Sequence, residues 1–140
     1  ITESALDEIF QRERPDIVSH HAAQASVTGS VNNPIEDARV NVLGMLKLLE
    51  ACRKFGVEKL VFASSGGAIY GEPQYLPCDE SHTIHPLSPY GLSKRIGEQY
   101  LELYYNLFHL NYVALRYGNV YGPRQNAYGE AYECVASPQR

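Results

Sequence analysis

Tyr90 and Lys94 stand four residues apart at the start of a helical stretch, Ser88-Pro89-Tyr90-Gly91-Leu92-Ser93-Lys94, and a serine pair, Ser64-Ser65, follows the apolar run Leu60-Val61-Phe62-Ala63. An offset of four puts the phenol and the ammonium on one helix face. There the cation favours the phenolate and makes the tyrosine an acid/base. A free tyrosine titrates near pH ~10, so working near pH ~7 requires roughly 4 kcal/mol in favour of the phenolate. One positive charge at about 4 Å, with an effective dielectric constant of about 20, supplies that much. A neighbouring hydroxyl can orient a reacting alcohol without competing for its proton.

These residues need a scaffold, and the chain alternates helix and strand signals. Thr2 or Ser4 can cap a first helix with an apolar stripe of Leu6, Ile9 and Phe10, and Pro15 follows its end. Asp16 to His20 reads as a short strand. A loop with Gly29, Asn32, Asn33 and Pro34 leads to a helix over Ile35 to Phe55, with Val42, Met45, Leu46, Leu49 and Cys52 at helical spacing and Gly56 at its end. Lys59 to Ala63 is a second strand, apolar enough for burial on both faces as in a parallel sheet. The helix that opens near Ser88 carries Ile96, Tyr100, Leu103 and Leu107 on its core side, and Asn111 to Leu115 is a third strand. This alternation predicts an open, doubly wound α/β sheet of Rossmann type. In such sheets ligands bind at the carboxyl ends of the strands. Those ends are His20 to Val27, Ser64 to Gly71 and Arg116 to Gly122, three segments converging on one edge.

Composition narrows the function. With 140 residues, 44% of them hydrophobic, there is material for one core and no more than one ordinary domain. A net charge of −4 with scattered Lys and Arg gives no footprint for nucleic acid or anionic lipid, and no apolar run reaches the length of a membrane span. Cys52, Cys78 and Cys134 are an odd number without metal or redox spacing, which points to a reduced, cytoplasmic setting. His20 and His21 are adjacent on a strand and point to opposite faces, with no matching carboxylate or thiol set, so no metal site is expected. Ile1 in place of Met, with a helix beginning at once, suggests an internal segment of a longer protein.

Five segments together carry a resemblance. They are His20-His21-Ala22-Ala23-Gln24-Ala25-Ser26-Val27, Asn41, Ser64-Ser65-Gly66-Gly67-Ala68-Ile69-Tyr70-Gly71, Pro89-Tyr90-Gly91-Leu92-Ser93-Lys94, and Arg116-Tyr117-Gly118-Asn119-Val120-Tyr121-Gly122-Pro123-Arg124. In this order and spacing they resemble the extended short-chain dehydrogenase/reductase superfamily. Within it the likeness is to the NAD-dependent nucleotide-sugar epimerases and dehydratases, above all those acting at C4 of UDP-glucose, over Ile1 to Glu130. The resemblance implies that Tyr90 is the acid/base, that Lys94 assists it and bonds the nicotinamide ribose, and that Ser65 orients the reacting hydroxyl. It implies that His21, Ala22, Ala23, Gln24 and Ala25 line NAD, that Asn41 steadies their loop, that Ser64 lies along the cofactor, and that Tyr117 and Gly118 meet the nicotinamide. Asn119 is implied to hold the phosphate of the sugar nucleotide. A homodimer through the helices at Ile35 to Phe55 and Ser88 to His109 is implied as well.

Two assignments stay open. Counted forward from the strand, the family's catalytic position falls on Ser65, with Ser64 as the fallback; counted back from Tyr70-Gly71 it falls on Gly66, which has no donor. The sugar is also open, because a UDP-uronic acid 4-epimerase or decarboxylase, a noncatalytic dinucleotide-binding module, or an inactive truncation all use this scaffold. Elimination of water is disfavoured. The dehydratase branch carries an Asp-Glu pair directly after its catalytic residue, where this chain has Gly66-Gly67. The Gly-rich turn for the pyrophosphate and the acidic residue for the ribose have no counterpart between Ile1 and Arg140. The expected division is therefore the central and C-terminal part of an NAD-binding domain over 1–116, lacking its N-terminal strands, and the start of a sugar-nucleotide region over 117–140 with an atypical tail from about 131.

Overall fold

The computed structural model describes residues 3–120, 122 and 123. Tyr121, Arg124 and the tail from about 131, with Cys134, lie outside them. Three parallel strands, β1 (Ile17–His20), β2 (Lys59–Ser65) and β3 (Asn111–Tyr117), form a sheet in the order β1-β2-β3. The register places Val18, Leu60 and Tyr112 side by side, and His20, Phe62 and Ala114 one step further on. Helix α1 (Glu3–Glu13) precedes β1; α2 (Val27–Asn32), α3 (Pro34–Ala38) and α4 (Gly44–Phe55) cross from β1 to β2, and α5 (Pro89–Phe108) crosses from β2 to β3. This is the partial Rossmann-type α/β fold expected from the alternation.

The core lies between one sheet face and the helices. Leu6 and Phe10 of α1, Met45, Leu49 and Cys52 of α4, and Leu101 and Tyr104 of α5 close on Leu60 and Phe62. Strand residues alternate faces, so the opposite face carries Ile17, Val61 and Val113. There Ile17 is 59% exposed and Val113 41% exposed. The exposure is on the flanking strands: within β2 itself Phe62, Ala63 and Ser64 are buried in succession and Val61 is half-buried, so the central strand is covered on both faces, most fully toward its carboxyl end, as its apolar run suggested.

Several local expectations change for physical reasons. Ser4 lies inside α1 rather than at its cap, and Ile9 is exposed while Leu6 and Phe10 are buried. The segment read as a loop with Gly29 and Asn32 is a short helix, because Ser26 Oγ accepts the Gly29 N–H at 2.9 Å and starts it. Asn33 then caps α3, with Pro34 in its first turn. The helix expected over Ile35 to Phe55 contains a wide π turn at Arg39–Leu43, where the Gly44 N–H reaches back five residues to the Arg39 carbonyl. Gly56 ends α4 in the left-handed conformation, as its sequence position suggested. Strands β2 and β3 each run two residues past their expected ends.

The core face of α5 differs most from expectation. Leu103 and Leu107 are exposed, and the buried residues are Gly91, Ser93, Lys94, Gly97, Glu98, Leu101 and Tyr104. Gly97 lets the helix come down on the sheet: a Cβ there would stand 2.7 Å from Phe62 Cζ. The substitution Gly97→Ala is accordingly expected to destabilise the fold by about 1–3 kcal/mol through overpacking, despite alanine's better helix propensity. Chemical denaturation of the two proteins measures it, and an alanine variant as stable as the parent would remove the close approach as the reason for glycine.

Candidate active site

The carboxyl ends of β1, β2 and β3 and the first turn of α5 enclose a cleft of about 840 Å³, within the range of small-molecule and cofactor sites. Ser88 caps α5, its Oγ accepting the Gly91 N–H at 3.1 Å, and Pro89 takes the first helical position. Tyr90 is thereby fixed in the first turn, at the positive end of a 20-residue helix. One turn on, Lys94 is only 5% exposed and donates from Nζ to the Ala63 carbonyl at 2.8 Å. The same Nζ lies 5.0 Å from the centre of the Phe62 ring and 5.7 Å from that of Tyr90. Burial lowers the pKa of Lys94, and the charge of Asp37 works against that fall.

Ser64 and Ser65 both belong to β2, so their side chains leave on opposite faces. The Ser64 hydroxyl is committed to the helix side, donating to Glu98 Oε1 at 2.7 Å. Ser65 lines the cleft with Tyr90 and Lys94, and its Oγ accepts the Ala68 N–H at 3.2 Å. Of the two hydroxyls only that of Ser65 is placed to orient a ligand; Ser64 can offer the cleft its backbone. Gly66 is held by its N–H to the Tyr117 carbonyl at 2.7 Å, and a Cβ on it would meet the Arg116 carbonyl oxygen at 2.9 Å. A side chain at Gly66 would press on that backbone, whereas Gly67 has open space around it.

The segment after β1 forms the opposite wall. His21, Ala23 and Ala25 line the cleft, whereas Ala22 and Gln24 do not. Asn41 stands behind the segment and grips Gln24 by both backbone groups: Oδ1 accepts the N–H and Nδ2 donates to the carbonyl, each at 2.9 Å. Nδ2 also donates to Asp37 Oδ1 at 2.9 Å. The wide turn at Arg39–Leu43 carries Asn41, and Asp37 lies four residues before it. On the far side, Ser93 Oγ donates to Asp37 Oδ2 at 2.6 Å. One buried chain of hydrogen bonds therefore links the loop at Gln24 to the turn of α5 that bears Lys94.

His20 and His21 separate as adjacent strand residues should. His20 stacks on Phe62, and burial, followed by the charges of Lys94 and His21, lowers its pKa to about 4. It is neutral wherever the chain works near neutral pH. His21 stacks on Tyr117 across the tip of β2, with Nε2 3.5 Å from the phenol oxygen. Tyr117, Gly118 and Asn119 all line the cleft. Among the described residues no three of His, Cys, Asp and Glu converge as a metal site.

Sequence reasoning missed Asp37, Ser93, Glu98 and Arg116, which hold the site from behind, and Thr28 and Glu72, which line it. The i, i+4 spacing of Asp37 and Asn41 was a usable signal. Arg116 at the end of β3 donates to Glu98 from Nε at 2.9 Å and from Nη2 at 2.8 Å, and from Nη1 to Tyr70 Oη at 2.8 Å. That pairing crosses three elements and leaves no local trace.

The model of the NAD dependent epimerase/dehydratase family matches residues 1–136. This chain belongs to that family. Among curated members, a putative UDP-glucose 4-epimerase of Methanocaldococcus jannaschii is 54% identical over 94% of this chain and 43% of its own length. The UDP-glucose 4-epimerase of Mycolicibacterium smegmatis is 44% identical over 94% of this chain and 42% of its own. Among solved structures, a Thermus thermophilus UDP-glucose 4-epimerase in complex with NAD superposes with a TM-score of 0.91 at 52% identity, covering 96% of this chain and 44% of that one. The chain thus spans rather less than half the length of the family members it matches. NAD is the family's cofactor. Among the described residues no helix is long and apolar enough to cross a membrane.

Proposed function

We propose that the full-length protein is an NAD-dependent nucleotide-sugar 4-epimerase interconverting UDP-glucose and UDP-galactose, and that this chain carries its acid/base centre. The observation that carries the reading is the Lys94 ammonium, buried and facing the Tyr90 ring, in one cleft with Ser65. The names of the family members above support it. Among the described residues Cys52 and Cys78 form no disulfide, and a reducing, cytoplasmic setting suits them.

The residues present fit NAD. The cleft has the volume, and its β1 wall offers Ala23 and Ala25, small side chains over which a ligand approaches the backbone closely. Gly118 and Asn119 at the tip of β3 leave the third side open. His21, Ala23 and Ala25 would line the cofactor, with Ala22 and Gln24 shaping the loop, while Lys94, Tyr117 and Gly118 would face its nicotinamide end. When bound, NAD supplies reversible oxidation at C4 of the sugar. Tyr90 takes the proton from the 4-hydroxyl and later returns it, Lys94 and the positive end of α5 favour its anionic form, and Ser65 holds the hydroxyl in line. Asn119 would bind the phosphate side of the sugar nucleotide. A homodimer through α4 and α5 would bury Leu43, Leu92 and Leu103, exposed apolar residues on those helices and the turn before α4.

The test is direct. Full-length protein with NAD should convert UDP-galactose to UDP-glucose, read by chromatography of the nucleotide sugars; absence of conversion with NAD bound overturns the reading. A Leu103→Glu substitution should turn a dimer into monomers in sedimentation, and an unchanged oligomer would remove that face as the contact.

A further inference from the structure

We propose that Asp37 is a positioning residue of this centre: its buried carboxylate ties the Lys94 turn of α5 to the loop at Gln24 and serves as the counter-charge of the Lys94 ammonium. The proposal rests on the acid/base reading above and extends it to a residue outside the cleft.

Asp37 is 0% exposed, and a carboxylate removed from water needs partners for both oxygens. It has them: Oδ1 accepts from Asn41 and Oδ2 from Ser93. Neither partner is a cation. Hydrogen bonds from an amide and a hydroxyl satisfy the oxygens but leave a full negative charge inside the protein, and such a charge is tolerated when a positive one lies close by. Lys94 follows Ser93 directly on α5, and it is the ionisable group whose charged form Asp37 favours. Lys94 in turn donates to a backbone carbonyl, that of Ala63, and has two aromatic rings beside it.

The other groups around Lys94 do not substitute for Asp37. From β1 comes His20, neutral and itself disfavoured as a cation by Lys94. On α5, Tyr90 carries the reacting proton, and Glu98 is held by Arg116 from β3, by Arg95 and by Ser64 from β2. From α3 comes Asp37. The arrangement makes mechanical sense as well, because Asn41 clamps Gln24 while leaning on the same carboxylate. The wall beside Ala23 and Ala25 and the ammonium under Tyr90 are therefore set by one anchor.

The test uses the full-length protein and reads Lys94 itself. Asp37→Asn keeps the shape and one of the two acceptor oxygens but removes the charge. With lysines labelled at Cε, and the Lys94 signal assigned with Lys94→Arg, its NMR titration should move to lower pH in Asp37→Asn and return toward the parent in Asp37→Glu. Ser93→Ala removes a hydrogen bond from Asp37 and keeps its charge, so its Lys94 titration should stay in place or move to higher pH. A merely structural role predicts the same direction for both. An unmoved Lys94 in Asp37→Asn, or a fall in Ser93→Ala like that expected of Asp37→Asn, overturns the proposal; Ser93→Ala alone decides if the asparagine variant does not fold. In an active enzyme the alkaline limb of kcat/KM should follow the same shift. Failure of the parent to interconvert the UDP-sugars is read separately and bears on the proposed reaction, because the titration needs no turnover.

Discussion

A Tyr90→Phe variant of the full-length protein is expected to lose about 10³-fold or more of its UDP-galactose to UDP-glucose turnover while still binding NAD, since a positioned acid/base contributes on that order. The structure supplies the reason for so large an effect from one oxygen atom. Tyr90 shares the cleft with Ser65 and Lys94, but the Lys94 amine already donates to the Ala63 carbonyl and is buried beneath the ring. It supports the phenol, and as an ammonium it has no free lone pair with which to take a ligand's proton. Ser65 is a hydroxyl that accepts a backbone N–H and, among the described residues, has no base to draw its proton away. Neither can replace the phenol. Phenylalanine keeps the ring, so cofactor affinity should change little. Retention of most of the turnover would exclude Tyr90 from proton transfer.

Breaking the ion cluster behind the cleft should have the largest effect on stability. Glu98 has a nearly buried side chain and receives Arg116 twice, Ser64 and Arg95, while Arg116 also donates to Tyr70. Replacing Glu98 with Leu leaves the Arg116 guanidinium largely buried without its anion, and removing one partner of such a pair costs about 3–5 kcal/mol. Urea unfolding near pH 7 measures it. A loss under about 1 kcal/mol would show the cluster to be dispensable. The pH dependence has a definite sign. Burial alone pushes the Glu98 carboxyl up, but the hydrogen bonds from Arg116 and Ser64, the charge of Arg116 and the bond from Arg95 outweigh it and hold the carboxyl below its ordinary range. Its stabilisation is therefore present above the unfolded carboxyl's value of about 4.3 and fades as pH falls through the folded one. The gap between parent and variant should narrow on acidification.

The legible parts of the chain were those where local pattern and tertiary structure agree. Helix α4 announced itself through Met45, Leu49 and Cys52 and its Gly56 stop, and β2 through its apolar run. The Tyr90 and Lys94 spacing was readable because a helix fixes what lies four residues on. Misreadings cluster where polar residues are buried. On α5, Leu103 and Leu107 looked like core and Glu98 gave no signal, yet Lys94 and Glu98 are both buried, made tolerable by Ala63, Ser64 and Arg116 from other elements. The same holds for the strand ends, since Ser64 and Arg116 read as loop until the distant Glu98 that satisfies both is known. Val27 to Asn32 was missed because its Gly and Asn content outweighed the single cap at Ser26.

The split of Ser64 and Ser65 carries one more consequence. If β2 slid by a single position, the two hydroxyls would trade places, and the wrong one would look into the cleft. The same slip would turn Leu60 and Phe62 away from the core, so packing already opposes it. At the serines themselves the frames are discriminated by the carboxylate of Glu98, which binds a hydroxyl on its own side and is fastened through Arg116 to the neighbouring strand. The cluster thus acts as an alignment key for the chemistry: a chain threaded one notch out would forfeit it.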